Sequence, residues 1–131
     1  MRWSPDTLLK QSSCHLMLGL LTLAAAAGAT ASANEAAFNN ACRTCHSVKA
    51  NDNRVGPSLH GVVGRKAGTA PGFNGYSQGM KNSGITWDES TLDKFIENPE
   101  AVVPNNGMKP FKGVPDKSVR AGIVEFLTTA K

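Results

Sequence analysis

Cys42, Cys45 and His46 stand in the order C-x-x-C-H, within Cys42-Arg43-Thr44-Cys45-His46. Two thiols three positions apart on a helical turn can each add across a vinyl group of a porphyrin, and the next residue then presents an imidazole to the iron. This is the attachment sequence of a c-type haem. The motif specifies one covalent haem c, bonded through Cys42 and Cys45, with His46 as an axial ligand. Two other uses of C-x-x-C fit less well. A thioredoxin-like dithiol needs a βαβ context, and the glycine-rich middle of the chain does not offer one. A zinc site needs four N or S donors; beyond residue 33 there are only Cys42, Cys45, His46 and His60, and the adjacent Cys45 and His46 reach one metal poorly.

A sixth iron ligand has three candidates in the same stretch: His60, Met80 and Met108. Met80 lies beside Lys81 in a glycine-rich loop, where an exposed or gap-filling thioether is the ordinary role. Met108 lies in Val103-Pro104-Asn105-Asn106-Gly107-Met108-Lys109-Pro110, where two prolines limit the loop's freedom and lower the entropic cost of holding a side chain in place. Loop rigidity favours Met108 over His60, and spacing alone leaves both open.

The elements that must position these groups read mostly as helix and loop. Ala37, Phe38, Ala41, Cys42 and Cys45 recur at three and four, predicting a helix from about 35 to 46 with the motif at its C-terminal end. Gly56 to Gly84 holds eight glycines with Pro57 and Pro71 and no sustained period, which predicts tight loops. A second helix follows Asp88 as N-cap, buries Leu92, Phe95 and Ile96, and stops at Pro99; a short helical turn over 98–103 precedes Pro104. The last helix has Pro115 near its first turn and an apolar stripe of Val119, Ile123, Phe126 and Leu127. Phe38 should meet Ile123 and Phe126 where the terminal helices pack.

Arg2 and Lys10 precede an uncharged run from Leu16 to Ala33 that ends Ala31-Ser32-Ala33. A basic start, an apolar middle and an A-x-A end make residues 1–33 a secretory signal peptide, cleaved to leave a domain at 34–131. An uncleaved anchor is the alternative, since the run approaches the ~20 residues that span a bilayer. Its Ala, Gly, Thr and Ser content makes it weakly apolar and favours cleavage. Cleavage removes Cys14, leaving both remaining cysteines in the motif and none for a disulfide. A domain this small has a marginal core of its own, which a buried haem would enlarge. The formal net charge of +4 falls by one without Arg2, Lys10 and Asp6. That modest excess suits steering toward an acidic protein surface and excludes a nucleic-acid footprint.

Five further motifs follow the C-x-x-C-H sequence in order: Gly56-Pro57-Ser58-Leu59-His60-Gly61, Gly64-Arg65-Lys66-Ala67-Gly68, Pro71-Gly72-Phe73, Gly84-Ile85-Thr86-Trp87 and Glu97-Asn98-Pro99. In these the chain resembles the mitochondrial-type class I cytochromes c, as a bacterial periplasmic member, over essentially all of residues 34–131. The resemblance implies a mostly α cytochrome c fold, three to five helices and glycine-rich loops wrapped around one covalent haem. It implies thioethers at Cys42 and Cys45 and iron ligation by His46 and Met108. Pro57 would accept from the outer nitrogen of His46. Arg65, Tyr76 and Trp87 would hold the haem propionates, and His60 would be structural. Three residues depart from the family pattern: Phe95 for a tyrosine, Asn106 for a threonine and Asn34 for a glycine at the helix crossing. Gly75 marks a one-residue insertion.

With both axial positions filled, the iron changes valence and does little else, so the implied function is a soluble one-electron carrier and not an enzyme. The thioether of Met108 and burial both favour Fe(II) and raise the potential. Lys49, Lys66, Lys81, Lys109 and Lys112 would form a basic docking ring. The implied partners are quinol:cytochrome c oxidoreductase and either cytochrome c oxidase or a photosynthetic reaction centre, met by a monomer in the periplasm. A peroxidase with Met108 off the iron, and a zinc-binding or sensor module, are the competing classes.

Overall fold

The computed structural model describes residues 23–131. The signal-peptide expectation therefore falls mostly on residues outside those described. No helix among the described residues is long and apolar enough to cross a membrane. Five helices are present there: α1 Leu23–Ala41, α2 Gln78–Asn82, α3 Glu89–Glu97, α4 Pro99–Val102 and α5 Lys117–Thr129. Beyond them, the only β-bridge among the described residues is the isolated antiparallel one between Lys66 and Thr86.

The terminal helices cross as the apolar stripes predict. Phe38 meets Phe126 with ring centroids 5.0 Å apart, and Ile123 is 0% exposed beneath them. Burying each such side chain contributes about 1.5–3 kcal/mol. The glycine missing at Asn34 is replaced from the other side of the crossing. A Cβ on Gly122 of α5 would lie 2.7 Å from Asn34 Oδ1, so Gly122 makes the room, and Asn34 Nδ2 donates to Glu125 Oε2 at 2.9 Å.

α3 forms where its cap predicts, and α4 falls within the short helical turn expected over 98–103. Asp88 Oδ1 accepts from Thr91 N–H at 2.7 Å while Thr91 Oγ1 accepts from Asp88 N–H at 2.8 Å, a reciprocal capping box. Asn98 closes α3 and caps α4, accepting from Ala101 N–H, with Pro99 in the first helical position. Arg120 then clips α5 to α3. Only 5% exposed, its guanidinium reaches Asp93 at 3.0 Å and Glu97 at 3.3 Å. It also donates to the carbonyls of Val114 and Pro115 at 3.0 and 2.8 Å.

Three expectations are corrected. α1 runs back to Leu23 and ends at Ala41, so the haem motif lies in the turns that follow it. Cys45 N–H bonds back only three residues, to Cys42 O at 3.1 Å, while His46 N–H reaches the same carbonyl at 2.9 Å. The helix begins early because the preceding residues are mostly alanine, the strongest helix former, and the single Gly28 among them weakens the helix without ending it. The glycine-rich middle contains α2, capped by Ser77, whose hydroxyl accepts from Met80 N–H at 3.1 Å. Finally, Pro115 precedes the N-cap of α5, which is Asp116, accepting from Val119 N–H at 3.0 Å.

The loop between the motif and α2 is tied to itself and to later chain by backbone bonds. Leu59 N–H reaches Ser47 O at 2.8 Å, and Gly64 N–H reaches Trp87 O at 2.7 Å. Trp87 N–H returns to Arg65 O at 2.9 Å, and Ala67 N–H bonds Ile85 O at 2.8 Å. These pairs hold the loops as walls of a deep cleft.

Candidate haem site

The cleft is open to solvent at its mouth and lined mostly by apolar side chains. Cys42, Cys45, His46, Pro57, Arg65, Tyr76, Trp87 and Met108 all line it. His60 does not; its carbonyl serves instead to hold Arg65 Nη1 at 2.9 Å. The rest of the lining is largely apolar, with Leu59, Val62, Leu92, Phe95, Ile96 and Leu127 forming the interior.

His46 is 7% exposed, and its Nδ1 lies 2.7 Å from Pro57 O. A carbonyl can only accept, so Nδ1 carries the proton and Nε2 is left with a free lone pair. Burial holds the imidazole below its ordinary pKa, with the Arg65 charge adding to that, against the raising effect of the Pro57 bond. The ring is neutral near pH 7, the state in which it ligates a metal. Gly56 makes this position possible. A Cβ there would collide with His46 Cε1 and stand 2.8 Å from Nδ1.

The two thiols are free and half-buried. Burial, with Cys45 beside it, pushes the Cys42 thiol up to about 11. It therefore stays a neutral S–H near neutrality, which an apolar wall tolerates better than a thiolate.

Arg65 is half-buried, donates to Ser58 O and His60 O at 2.9 Å each, and pairs with no carboxylate among the described residues. Burial lowers its pKa, countered by nearby Tyr76. Tyr76 stands edge-on to Phe73 with centroids 4.9 Å apart, and its oxygen accepts from Ala70 N–H at 3.1 Å, which leaves the phenolic proton free to donate. Trp87 is buried against Phe95, centroids 4.9 Å apart, and its indole N–H donates to no protein group among the described residues. A guanidinium lacking an anion, a phenol and an indole N–H at one cleft fit an anionic group such as a haem carboxylate.

Met108 is half-buried on a loop whose backbone is fixed by Asn106. The Asn106 side chain, 5% exposed, accepts from Met108 N–H at 2.7 Å and donates to Val103 O at 3.1 Å and to Glu100 Oε2 at 3.0 Å. Met80 is buried on α2 and also lines the cleft. Sequence reasoning noted Asn106 only as a departure and Gly56 only as part of a motif, and passed over Glu100 and Val55. Val55 is 78% exposed at the cleft wall, and a lone valine in a loop gives no signal of that. The five lysines are exposed, but Lys109 is not a free charge: its Nζ lies 2.7 Å from Glu100 Oε2.

A mostly helical chain with paired thiols, a neutral imidazole and unpaired donors around one apolar cleft is built to hold a c-type haem. No protein-family model matches the chain. It is 53% identical to cytochrome c2 of Rhodomicrobium vannielii over 89 residues, 67% of this chain and 70% of that protein. It is 48% identical to cytochrome c2 iso-2 of Magnetospirillum molischianum over 90 residues, 69% of this chain and 91% of that one. The structure of cytochrome cH from Methylobacterium extorquens superposes with a TM-score of 0.68 at 40% identity, covering 76% of this chain and 97% of that chain. The chain belongs to the class I cytochromes c. It is an electron-transfer protein, not an enzyme, with one haem c attached through Cys42 and Cys45.

Proposed function

We propose that the chain is a periplasmic one-electron shuttle whose iron is ligated by His46 and Met108. The observation that carries this reading is that one cleft gathers His46 and Met108 from distant parts of the sequence and leaves His60 outside. When bound, the haem supplies a one-electron couple. The chain's residues hold that couple and exclude water from it. Pro57 fixes the imidazole plane and, by taking the Nδ1 proton in a hydrogen bond, raises its donor strength. The thioether of Met108 favours the lower charge state, as does the apolar lining. Arg65, Tyr76 and Trp87 neutralise or hydrogen-bond the propionates, with Arg65 supplying the compensating charge.

Residues 1–33 are a signal peptide in this reading, cleaved to release domain 34–131 as a monomer into the periplasm, and their basic-apolar-small layout supports it. The donor is a quinol:cytochrome c oxidoreductase, and the acceptor is cytochrome c oxidase or a photosynthetic reaction centre. Exposed Lys49, Lys66, Lys81 and Lys112 pair with no carboxylate among the described residues and would favour such acidic partners. The test is the weak far-red sulfur-to-iron charge-transfer band of the oxidised protein, which Met108→Ala should abolish while the haem stays covalently attached. A wild type lacking that band and turning over peroxide efficiently would instead be a peroxidase.

A further inference from the structure

Glu100 lies on α4 and outside the cleft, yet its carboxylate is the hub of the loop that carries Met108. Oε1 accepts from Asn105 N–H at 3.0 Å. Oε2 accepts from Asn106 Nδ2 at 3.0 Å and from Lys109 Nζ at 2.7 Å. Asn106 passes the constraint on, its Oδ1 accepting from Met108 N–H at 2.7 Å. One carboxylate thus ties residues on both sides of Met108 and, through one side chain, the amide of Met108 itself. α4 can bear this load because Asn98 caps it, Pro99 is buried and Val103 N–H closes on Pro99 O at 2.9 Å.

The other side of the loop is braced by α2. A Cβ on Gly79 would collide with Pro104 O and lie 3.0 Å from Asn105 O, so the missing side chain lets α2 rest against the loop backbone. The loop itself has residues of positive φ at Asn105 (57°) and Gly107 (82°), a path that needs external ties to persist. The acceptors of Glu100 supply them.

We propose that Glu100 is a positioning residue for the sixth-ligand loop, acting through Asn105, Asn106 and Lys109 to keep the Met108 thioether in the cleft. This rests on ligation by Met108. A role confined to surface charge would depend on Lys109 alone, since Lys109 is the one cation the carboxylate pairs with. Positioning depends on the bonds to Asn105 and Asn106 as well.

The experiment uses the oxidised holoprotein titrated with imidazole, which can bind the iron only by displacing Met108, and reads the loss of the far-red band. Glu100→Ala should keep the band when imidazole is absent and bind imidazole about tenfold more tightly, the scale expected when charged hydrogen bonds to a loop are removed. Asn106→Ala, which cuts the second link, should shift the titration in the same direction. Lys109→Gln should shift it by less than about twofold, because exposed ion pairs hold little. An unchanged imidazole affinity in Glu100→Ala, or an equal shift in Lys109→Gln, overturns the proposal. A wild type with no far-red band overturns the ligation reading first, and the two failures are thereby told apart.

Discussion

Gly56→Ala should be among the most damaging single-methyl additions to this protein. The backbone is not the obstacle, since Gly56 is not among the glycines with positive φ. The obstacle is the His46 ring. The added Cβ would strike Cε1 and sit 2.8 Å from Nδ1 and 2.9 Å from Nε2. The ring must shift, and its 2.7 Å bond to Pro57 O is broken or bent. Leaving the half-buried Pro57 carbonyl unsatisfied costs up to about 1–3 kcal/mol, and overpacking costs about 1–3 kcal/mol more. Against this, replacing glycine by alanine restricts the unfolded chain and returns about 0.4–1 kcal/mol. The net is a destabilisation of about 3 kcal/mol, which for a domain of this size lowers Tm by more than about 10 °C. Thermal and urea unfolding of the oxidised holoprotein, followed by circular dichroism, measure it. The potential should rise as well, because weakening the Nδ1 bond reduces the donor strength of the imidazole. Gly122→Ala is the internal control. There the close atom is the tip of Asn34, 2.7 Å away, which can swing aside at the loss of one exposed bond, so stability should change by less than about 1 kcal/mol. A Gly56→Ala protein as stable as wild type, with unchanged spectrum and potential, would refute the steric argument.

Two further outcomes are expected. Arg120→Ala removes a buried cation that satisfies two backbone carbonyls and two carboxylates; since Asp93 and Glu97 can rehydrate, the cost should be about 2–3 kcal/mol, below the range for a fully buried pair. An unfolding free energy from urea titration within about 0.5 kcal/mol of wild type, on the order of an ordinary surface substitution, would show that the clip between α3 and α5 is dispensable. Reduction by a quinol:cytochrome c oxidoreductase should slow as ionic strength rises past about 0.1 M, where the screening length falls to about 10 Å; a rate indifferent to salt would remove the lysines from the docking surface.

The structure shows which signals in the sequence were strong. Asp88, Pro99 and the stripe from Ile123 to Leu127 locate α3 and α5 because capping and periodicity act over a few neighbouring residues. α2 escapes that reading: five residues are too few to display a period, and its Ser77 cap sits in a run of loop-forming residues. The motif residues declare themselves by type, since few chains place two thiols and an imidazole at that spacing. Glu100 does not. An acid just after a proline reads as a favourable first-turn charge, and its partners Asn105, Asn106 and Lys109 reach it only because the loop turns back through positive φ. Asn106 likewise differs from the family pattern without revealing that it bonds the amide of Met108. Tertiary hydrogen bonds made by common polar residues carry no local mark.

The two sides of the cleft are held by different physics, and that difference decides which side yields first. His46 is locked by burial, by a bond to a backbone carbonyl and by contact with the Gly56 backbone, none of which salt or solvent weakens much. The Met108 loop depends on a carboxylate whose side chain is 49% exposed and on a lysine 64% exposed. Water competes for both, so these ties are worth less than their short distances imply. Glu100 is also held below its ordinary pKa, chiefly by the Asn105 N–H and then by Lys109. Its contribution is present above the ordinary carboxylate value of 4.5 and is lost as pH falls through the depressed one. The loop carrying Met108 therefore belongs to the low-stability end of the molecule. In the proposed coordination, the thioether leaves before the imidazole under acid, heat or an added ligand, because the Glu100 end of its support lies in solvent and only Asn106 is buried, while the support of His46 lies wholly in the core.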